Sequence, residues 1–291
     1  MIKPVDEPHV PSPSQGSRRK QSSPPTQEDG DGAQYMAPAL TKGLNILEAL
    51  TDAEHGLSMA EIAERLGRSI SEIFRMVITL QRSGWISADQ GDRYHLSSKM
   101  FELAHRNRPV RTLVEAALPT MQAITRRTHQ SCHVSVLAGG RVLVIAHVDA
   151  PGTLSLSVRT GSVVGLLDTA SGQVLLAFRQ PEERMRLVED YALLSGEPRI
   201  SHHAGWKAAI ESVARDGYAS SPSQQVRGVT NIGYPVWGRN GPVVAALAMP
   251  YMESISPQRG PSLDEAREIL GEGAVEISRT LGYQVPAGGA D

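Results

Sequence analysis

Three short helical patterns follow one another with only a few residues between them. They cover residues 39–50, 58–66 and 69–82, and the second begins with the capping-box pair Ser58 and Glu61. The positions expected to face the core are Leu40, Leu44, Leu47 and Leu50, then Met59, Ile62, Ala63 and Leu66, then Ile73, Val77 and Leu80. The turn between the second and third helices is short, which is typical of a helix-turn-helix.

A small hairpin is predicted directly after the third helix. Residues 85–87 and 94–96 favour strands, and the polar residues and glycine at 89–92 favour a turn between them. Three helices followed by a hairpin form a winged helix-turn-helix. We assign this domain to residues 36–98.

The second helix of a helix-turn-helix pair enters the major groove of DNA, where its first outward side chains reach base edges. The outward candidates are Ser69, Ser71, Glu72, Arg75 and Thr79. Arg75 suits a bidentate contact with guanine, and Glu72 suits acceptance from a cytosine amine. Lys42 on the first helix and Arg93 at the wing tip are predicted to contact phosphates. A protein-interaction module stays open as the alternative, because acidic residues slightly outnumber basic ones between residues 39 and 99.

The overall charge gives no indication of a nucleic-acid or membrane partner, since the formal net charge is −2. The single cysteine, Cys132, excludes an internal disulfide and a zinc finger, and it fits a reducing cytoplasm. The longest apolar stretch, residues 242–252, is far shorter than the ~20 residues of a membrane span. We therefore expect a cytoplasmic protein with no membrane partner.

The second half of the chain alternates strand and helix patterns. Gly139 and Gly140 separate two runs rich in β-branched residues, 132–138 and 141–148, which predicts a hairpin with a two-residue loop. Further strands are predicted at 154–158, 232–236 and 243–249, and helices at 169–178, 181–193, 205–215 and 262–282. Hairpins interspersed with helices favour an α+β domain with a largely antiparallel sheet.

The composition changes at both ends of the folded region. Residues 1–35 are rich in proline and serine, which predicts a disordered tail. An arginine-rich helix at residues 99–116 is expected to link the winged helix-turn-helix to a second domain at 117–283. Residues 284–291 are expected to form a disordered C-terminal tail.

Several segments, taken together, resemble the IclR family of bacterial transcriptional regulators. They are residues 39–50, 57–67, 71–80, 84–86, 91–96, 159–161, 169–178, 216–218, 228–229 and 276–282. The resemblance implies a winged helix-turn-helix, a linker helix and a GAF-like effector domain. It also implies a homodimer or a dimer of dimers on palindromic operator DNA. Such regulators are more often repressors than activators, and we expect a small organic-acid or sugar-acid effector from a catabolic pathway.

The effector site is expected around the loop that opens the helix at residues 169–178. Unpaired backbone N–H groups at such a helix start favour an anion or a polar oxygen. The expected effector-binding residues are Arg159, Asp168, Thr169, Ala170, Ser171, Gly172, Gln225, Asn231 and Tyr234. An equally good interpretation is that Asp168 or Thr169 only caps the helix. Leu167 stands where the family usually has a histidine, and Asn231 where it often has a cysteine, which indicates a ligand other than the family's usual small keto acids.

Sequence fingerprints of common enzymes are absent, including the nucleophile elbow, the phosphate-binding loop and the zinc-binding His-Glu-x-x-His. The histidines, such as His133, His147 and the adjacent pair His202 and His203, have no spacing that indicates a metal site. We therefore predict no catalytic residue, no metal and no cofactor. The function expected is a ligand-responsive repressor, and an activator or an interaction protein without DNA stays open.

Overall fold

The structure is a computed structural model that describes residues 37–106, 108–153, 155–195, 205–253 and 260–284. It divides into two compact units, Met1–Met100 and Phe101–Asp291. The predicted N-terminal tail, nearly all of the predicted C-terminal tail and the His202-His203 pair lie outside the described residues. None of the helices in the described part of the chain has the length and hydropathy of a membrane span.

The first unit contains three helices and a small antiparallel sheet. Its elements are α1 (Pro38–Thr51), β1 (Leu57–Ser58), α2 (Met59–Arg65), α3 (Ile70–Arg82), β2 (Ile86–Ala88) and β3 (Arg93–Leu96). The strand β3 lies between β1 and β2. The winged helix-turn-helix is confirmed, with β1 as a third strand that the sequence did not indicate.

Reciprocal hydrogen bonds at the N-terminus of α2 fix where this helix begins. The Glu61 N–H donates to the Ser58 hydroxyl at 3.3 Å, and the Ser58 N–H donates to the Glu61 carboxylate at 2.7 Å. These bonds satisfy donors that no carbonyl of the helix reaches. The capping box predicted from the sequence is therefore confirmed.

The core of the first unit is aliphatic, with Ile46, Ile62 and Ile73 fully buried. The predicted apolar face of α1 was partly wrong, because Leu40 and Leu44 are 63% and 51% exposed. With about 3.6 residues per turn, Leu40 lies about a third of a turn around the helix from the buried Ile46, and Leu44 lies nearly opposite it. The helix thus buries one side and leaves an apolar pair on another.

The arginine-rich segment after the first unit forms two helices, α4 (Lys99–Arg106) and α5 (Arg108–Thr128). Helical structure continues well beyond residue 116, where the linker helix was expected to end. The reason is packing, since Ala117, Met121 and Ile124 form a buried stripe at helical spacing in the core of the second unit. Pro119 lies inside α5 and gives no backbone N–H to the helix.

One six-stranded sheet organises the second unit. Its strands are β4 (Cys132–Ala138), β5 (Arg141–Val148), β6 (Val163–Val164), β7 (Ala219–Pro222), β8 (Val229–Trp237) and β9 (Val243–Met252), and its helices after α5 are α6 (Ala170–Ala177), α7 (Pro181–Ser195), α8 (Trp206–Asp216) and α9 (Leu263–Thr280). The strand order is β6-β5-β4-β9-β8-β7, and every neighbouring pair is antiparallel. The predicted α+β, GAF-like class is confirmed.

The observed sheet differs from the expected one in three strands. Two short strands were not predicted, and one predicted strand is not present. The sequence did not indicate β6 or β7, which have two and four residues and so show almost no alternation. The strand predicted at 154–158 was wrong, because the described residues 155–159 form no strand. The side chains of 156–159 line a cavity instead.

Helices cover both faces of the sheet. On one face, α5 and α9 contribute Met121, Ile124 and Leu270 to a core that includes Ile232 of β8. On the other face, α6, α7 and α8 form a second core around α6, whose eight residues are all buried. Seven of these eight residues are apolar or small, and the side-chain amide of the eighth, Gln173, donates to the Leu167 carbonyl at 3.2 Å.

Glycine lets the N-terminus of α6 approach its surroundings closely. A Cβ atom on Gly172 would lie 2.1 Å from the Leu166 carbonyl oxygen. A Cβ atom on Gly233 of β8 would lie 3.1 Å from the Cβ of Ala170. The start of α6 is therefore fixed against both its preceding loop and the sheet.

We expect Gly172→Ala to destabilise the second unit by more than about 2 kcal/mol, because the added methyl group has no space in a fully packed site. Thermal and denaturant unfolding of the full chain measure the change.

The matched control is Gly43→Ala in α1, where the new Cβ has no atom within 4 Å. The same substitution should there stabilise the helix by about 0.5 to 1 kcal/mol through helix propensity. Equal effects at the two glycines would contradict the packing argument.

Candidate functional site

The outward face of α3 carries the residues predicted to read DNA. Ser71, Arg75 and Thr79 are exposed at successive turns of this helix. Within residues 37–106 the structure gives no ion pair to Arg75. The Thr79 hydroxyl donates to the Arg75 carbonyl at 2.7 Å. The guanidinium of Arg75 is thus accessible to a partner outside this unit.

Glu72 is the centre of a polar cluster at the start of α3. Its carboxylate accepts from the Ser69 N–H and the Ser69 hydroxyl, each at 3.0 Å, and from Lys42 Nζ at 3.2 Å. Arg68 adds an ion pair at 3.6 Å. Bonding from the Ser69 N–H and from Lys42 lowers the pKa of Glu72 to about 2. Both Glu72 and Lys42, predicted to contact DNA, therefore already have partners within the unit.

Arg93 holds the wing against the start of α2. Its guanidinium donates to the carbonyl oxygens of His55 and Gly56 at 2.9 and 3.0 Å, and it pairs with Glu61 at 2.9 Å. The placement at the wing tip was wrong, because Arg93 is the first residue of β3 and its side chain folds back from the turn. These contacts give Arg93 a structural role whether or not it also meets a phosphate.

Two exposed apolar residues on α3 were missed, Ile70 and Phe74. Ile70 and Phe74 are four residues apart and therefore lie on one side of the helix, as do Ser71 and Arg75. Both pairs are exposed to solvent. Sequence reasoning counted only polar side chains as readers of DNA. The helical spacing itself was the signal that could have found them.

A cavity of about 350 Å³ lies in the second unit at the N-terminus of α6. It is bounded by β4, β8, β9 and the segments 156–162 and 223–226. The lining residues are His133, Leu156, Ser157, Val158, Arg159, Ser162, Val164, Asp168, Thr169, Ala170, Ser171, Ser223, Gln224, Gln225, Val226, Val229, Asn231, Ala248, Met249 and Pro250. A cavity with mostly apolar walls and a few polar groups is typical of a small-molecule site.

The structure brings most of the predicted effector residues together at this cavity. Those that line it are Arg159, Asp168, Thr169, Ala170, Ser171, Gln225 and Asn231. Gly172 is not among them, because it packs against the Leu166 backbone. Tyr234 lies on the opposite face of the sheet, where its ring stacks on Tyr218. Alternation along β8 explains this, since Asn231 and Tyr234 are an odd number of residues apart.

His133 is the main cavity residue that the sequence interpretation missed. It is 6% exposed, and its Nε2 lies 3.3 Å from the Ser171 hydroxyl, while Nδ1 has no hydrogen-bond partner among the described residues. Burial, with the nearby His147, lowers the pKa of His133 from 6.5 to about 4, so the imidazole is neutral at pH 7. The sequence did contain a signal for this. Because side chains alternate along a strand, His133 points to the face of the sheet opposite the apolar Cys132 and Val134.

Some polar groups at the start of α6 form hydrogen bonds within the helix, and others have no partner among the described residues. The Thr169 hydroxyl accepts from the Gly172 N–H at 3.1 Å, which makes Thr169 the helix cap. The Oδ1 atom of Asp168 is buried and has no hydrogen-bond partner among the described residues. A buried acceptor without a donor is unfavourable by about 1 to 3 kcal/mol. This atom lies against Gly165, where a Cβ would be 1.7 Å from it.

Family models cover both units. The model of the bacterial transcriptional regulator IclR C-terminal domain matches residues 109–279, and the IclR helix-turn-helix domain matches residues 39–90. The chain belongs to the IclR family of bacterial transcriptional regulators. It is therefore a transcriptional regulator with a DNA-binding helix-turn-helix and an effector-binding domain, and its relatives are regulators rather than enzymes.

Individual relatives agree with this assignment over most of the chain. The HTH-type transcriptional regulator KdgR of Escherichia coli is 28% identical over 248 residues, which are 84% of this chain and 93% of KdgR. The crystal structure of Thermotoga maritima IclR matches with a TM-score of 0.63 at 25% identity, over 84% of this chain and 99% of that one.

A second solved structure resembles the fold at lower sequence identity. It is an IclR homologue from Microbacterium hydrocarbonoxydans complexed with 4-hydroxybenzoate, with a TM-score of 0.69 and 22% identity over 84% of this chain and 98% of that one.

Among the described residues of the present chain, no three His, Cys, Asp or Glu side chains are grouped so as to hold a metal ion.

The neutral His133 makes the second unit sensitive to acid. In the unfolded chain this histidine takes up a proton near pH 6.5, whereas in the folded chain it does so only near pH 4. Between these values the unfolded state binds more protons, so stability falls as the pH falls, by on the order of 3 kcal/mol in total. We expect His133→Asn to remove this loss.

The measurement is denaturant unfolding of the full chain followed by tryptophan fluorescence in a Trp85→Phe background, so that Trp206 and Trp237 of the second unit report. The control is the same substitution at the exposed His129, whose side chain contacts water when folded. Parallel stability curves for wild type and His133→Asn would contradict the prediction.

Proposed function

We propose that this protein is a repressor of a catabolic operon in the cytoplasm, and that a small organic-acid or sugar-acid effector releases it from its operator. The observation that carries the proposal is the cavity at the start of α6, in a chain whose other unit is a helix-turn-helix. Repression is the more frequent mode that the family resemblance implies.

The DNA side of the proposal depends on Arg75. Of the seven Lys and Arg residues between 39 and 99, five have partners within the first unit. These five are Lys42, Arg65, Arg68, Arg93 and Lys99. Among residues 37–106 the structure gives Arg75 no ion pair. Arg75 lies on the outward face near the start of α3. This position supports a bidentate contact with guanine in the major groove.

The other predicted DNA contacts divide into two roles. Ser69, Ser71 and Thr79 are exposed. The Ser69 and Thr79 hydroxyls already donate to the Glu72 carboxylate and the Arg75 carbonyl, so they suit contacts in which they accept from a base. Glu72, together with Lys42, is better supported as a residue that holds the start of α3 in place, because its carboxylate already accepts from two residues. Arg93 is likewise better supported as a clamp on the wing.

The effector side of the proposal follows from the charges of the cavity lining. Arg159 and Asp168 are the oppositely charged members, and His133 is neutral. A carboxylate suits Arg159, whereas Asp168, Ser171 and Asn231 suit hydroxyl groups. A hydroxylated acid satisfies both sets. The 4-hydroxybenzoate bound by the Microbacterium homologue carries the same two kinds of group.

A homodimer or a dimer of dimers is supported by the exposed leucines of α1. Leu40 and Leu44 lie one turn apart on a single side of the helix. Apolar pairs of this kind on a surface favour burial against a partner. Two copies would present two recognition helices to a palindromic operator.

We expect Arg75→Ala to weaken operator binding by about 1 to 3 kcal/mol and to relax the preference at one base pair. The measurement is a gel shift on the DNA upstream of the protein's own gene, with single-base variants of the bound sequence.

The matched control is Arg82→Ala, two turns further along the same face of α3, for which the structure gives no ion pair within residues 37–106. Loss of a phosphate contact there would weaken binding about equally for all sequences and lower the salt dependence. Full-strength, sequence-specific binding by Arg75→Ala would contradict the placement of Arg75 in the groove.

We also expect the affinity for an effector to change by about 5- to 150-fold when operator DNA is bound, because coupling between two sites is reciprocal. Organic acids and sugar acids are screened by thermal shift of the full chain, and each binder is titrated calorimetrically with and without saturating operator. A duplex of unrelated sequence serves as the control. Equal affinities in all three titrations would rule out the effector as the switch.

A further inference from the structure

The recognition helix α3 presents two parallel rows of side chains to solvent. One row is polar and consists of Ser71, Arg75 and Thr79. The other is apolar, and its first two members are Ile70 and Phe74, which are 48% and 50% exposed. Residues four apart on a helix lie on one side, so each row is continuous. The two rows lie side by side, because each polar residue directly follows an apolar position in the sequence.

The position of the apolar row on the recognition helix distinguishes it from ordinary exposed apolar residues. Single exposed apolar residues are common on protein surfaces and need no explanation. Ile70 and Phe74, however, are adjacent to each other and to the unpaired Arg75, in the first two turns of the helix that enters the groove. A partner that covers Arg75 therefore also covers these two side chains.

We propose that Ile70 and Phe74 read thymine methyl groups in the major groove of the operator. In that groove the C5-methyl of thymine is the apolar feature of the base edges, and apolar side chains recognise it. The inference rests on the proposed placement of α3 in the groove, and it deepens that proposal by naming residues that select A·T pairs beside the guanine expected for Arg75.

The charges of the first unit strengthen the case. Most of its basic side chains are engaged within the unit, and acidic residues slightly outnumber basic ones between 39 and 99. Few basic side chains between residues 39 and 99 are therefore unpaired for contacts with phosphates, and such contacts carry no sequence information. Apolar contacts with bases then contribute a larger share of the binding free energy and of the specificity.

The test uses deoxyuridine, which differs from thymidine only by the missing methyl group. A duplex that binds the full chain is selected from a random pool, and each thymine is replaced by uracil in turn. Affinities are measured by fluorescence anisotropy. Wild type should lose about three- to five-fold at each contacted thymine, which corresponds to the burial of one methyl group.

The variants assign each thymine to a side chain. Phe74→Ala should bind the unmodified duplex more weakly and show no further loss at one of the sensitive positions, and Ile70→Ala should do the same at another. Phe74→Leu, which keeps an apolar side chain, should retain part of the methyl dependence. Leu193→Ala, at an exposed leucine of α7 in the second unit, should keep the full wild-type profile.

Several outcomes would overturn the proposal. A flat uracil profile in wild type, or an unchanged profile in Phe74→Ala, would show that no methyl group is read by this row. A change of oligomeric state in Phe74→Ala, with an equal loss for every duplex, would make the row an interface between copies of the chain. If selection yields no sequence-specific duplex at all, the proposed function itself fails.

Discussion

The second unit depends on the close packing of α6 against the loop that precedes it and against the sheet. The helix is buried along its whole length, and Gly172 allows its first turn to lie against the Leu166 carbonyl. A helix held this tightly cannot shift to satisfy the polar groups at its own start. These groups must find partners in Thr169, in the strand residue His133 or in a ligand. The cavity is therefore a consequence of how α6 is packed.

Most charged side chains in the described part of the first unit form ion pairs or hydrogen bonds within that unit. Glu72 ties the start of the recognition helix to Lys42 of α1, and Arg93 ties the wing to Glu61 of α2. Lys99, where α4 begins, donates to the Ser83 carbonyl at the end of α3 and lies over the Trp85 ring. Both ends of the recognition helix are thus held by side chains from other elements, which fixes the orientation of its outward face.

Much of the fold was predictable because its signals are local. Capping boxes, Gly139-Gly140 and the periodicity of apolar residues gave the winged helix-turn-helix and the first hairpin of the sheet. Three strands were missed because β1, β6 and β7 have only two to four residues, too few to show alternation. Partners distant in sequence were also not predictable, which is why the ion pairs of Glu72 with Lys42 and of Arg93 with Glu61 were not expected.

For the cavity, the loop at α6 was predictable and the sheet side was not. Asp168, Thr169 and Ser171 follow one another in sequence, whereas His133 reaches them only through the pairing of β4 within the sheet. Tyr234 was misplaced although the information was present. Counting by twos from Asn231 along β8 puts it on the face covered by α9, not on the cavity side.

The small number of unpaired Lys and Arg side chains between residues 39 and 99 affects how an effector can switch DNA binding. Binding driven by many phosphate contacts is strong for any DNA sequence, and a small ligand then has little leverage. Between residues 39 and 99 the structure gives no ion pair to Arg75 or Arg82 and pairs the other basic residues within the unit. In the proposed repressor a single helix-turn-helix would therefore bind weakly, and operator affinity would come from two recognition helices engaged together. In the proposed dimer that joint engagement depends on the spacing of the two helices. An effector that changes the spacing slightly therefore changes affinity by a large factor.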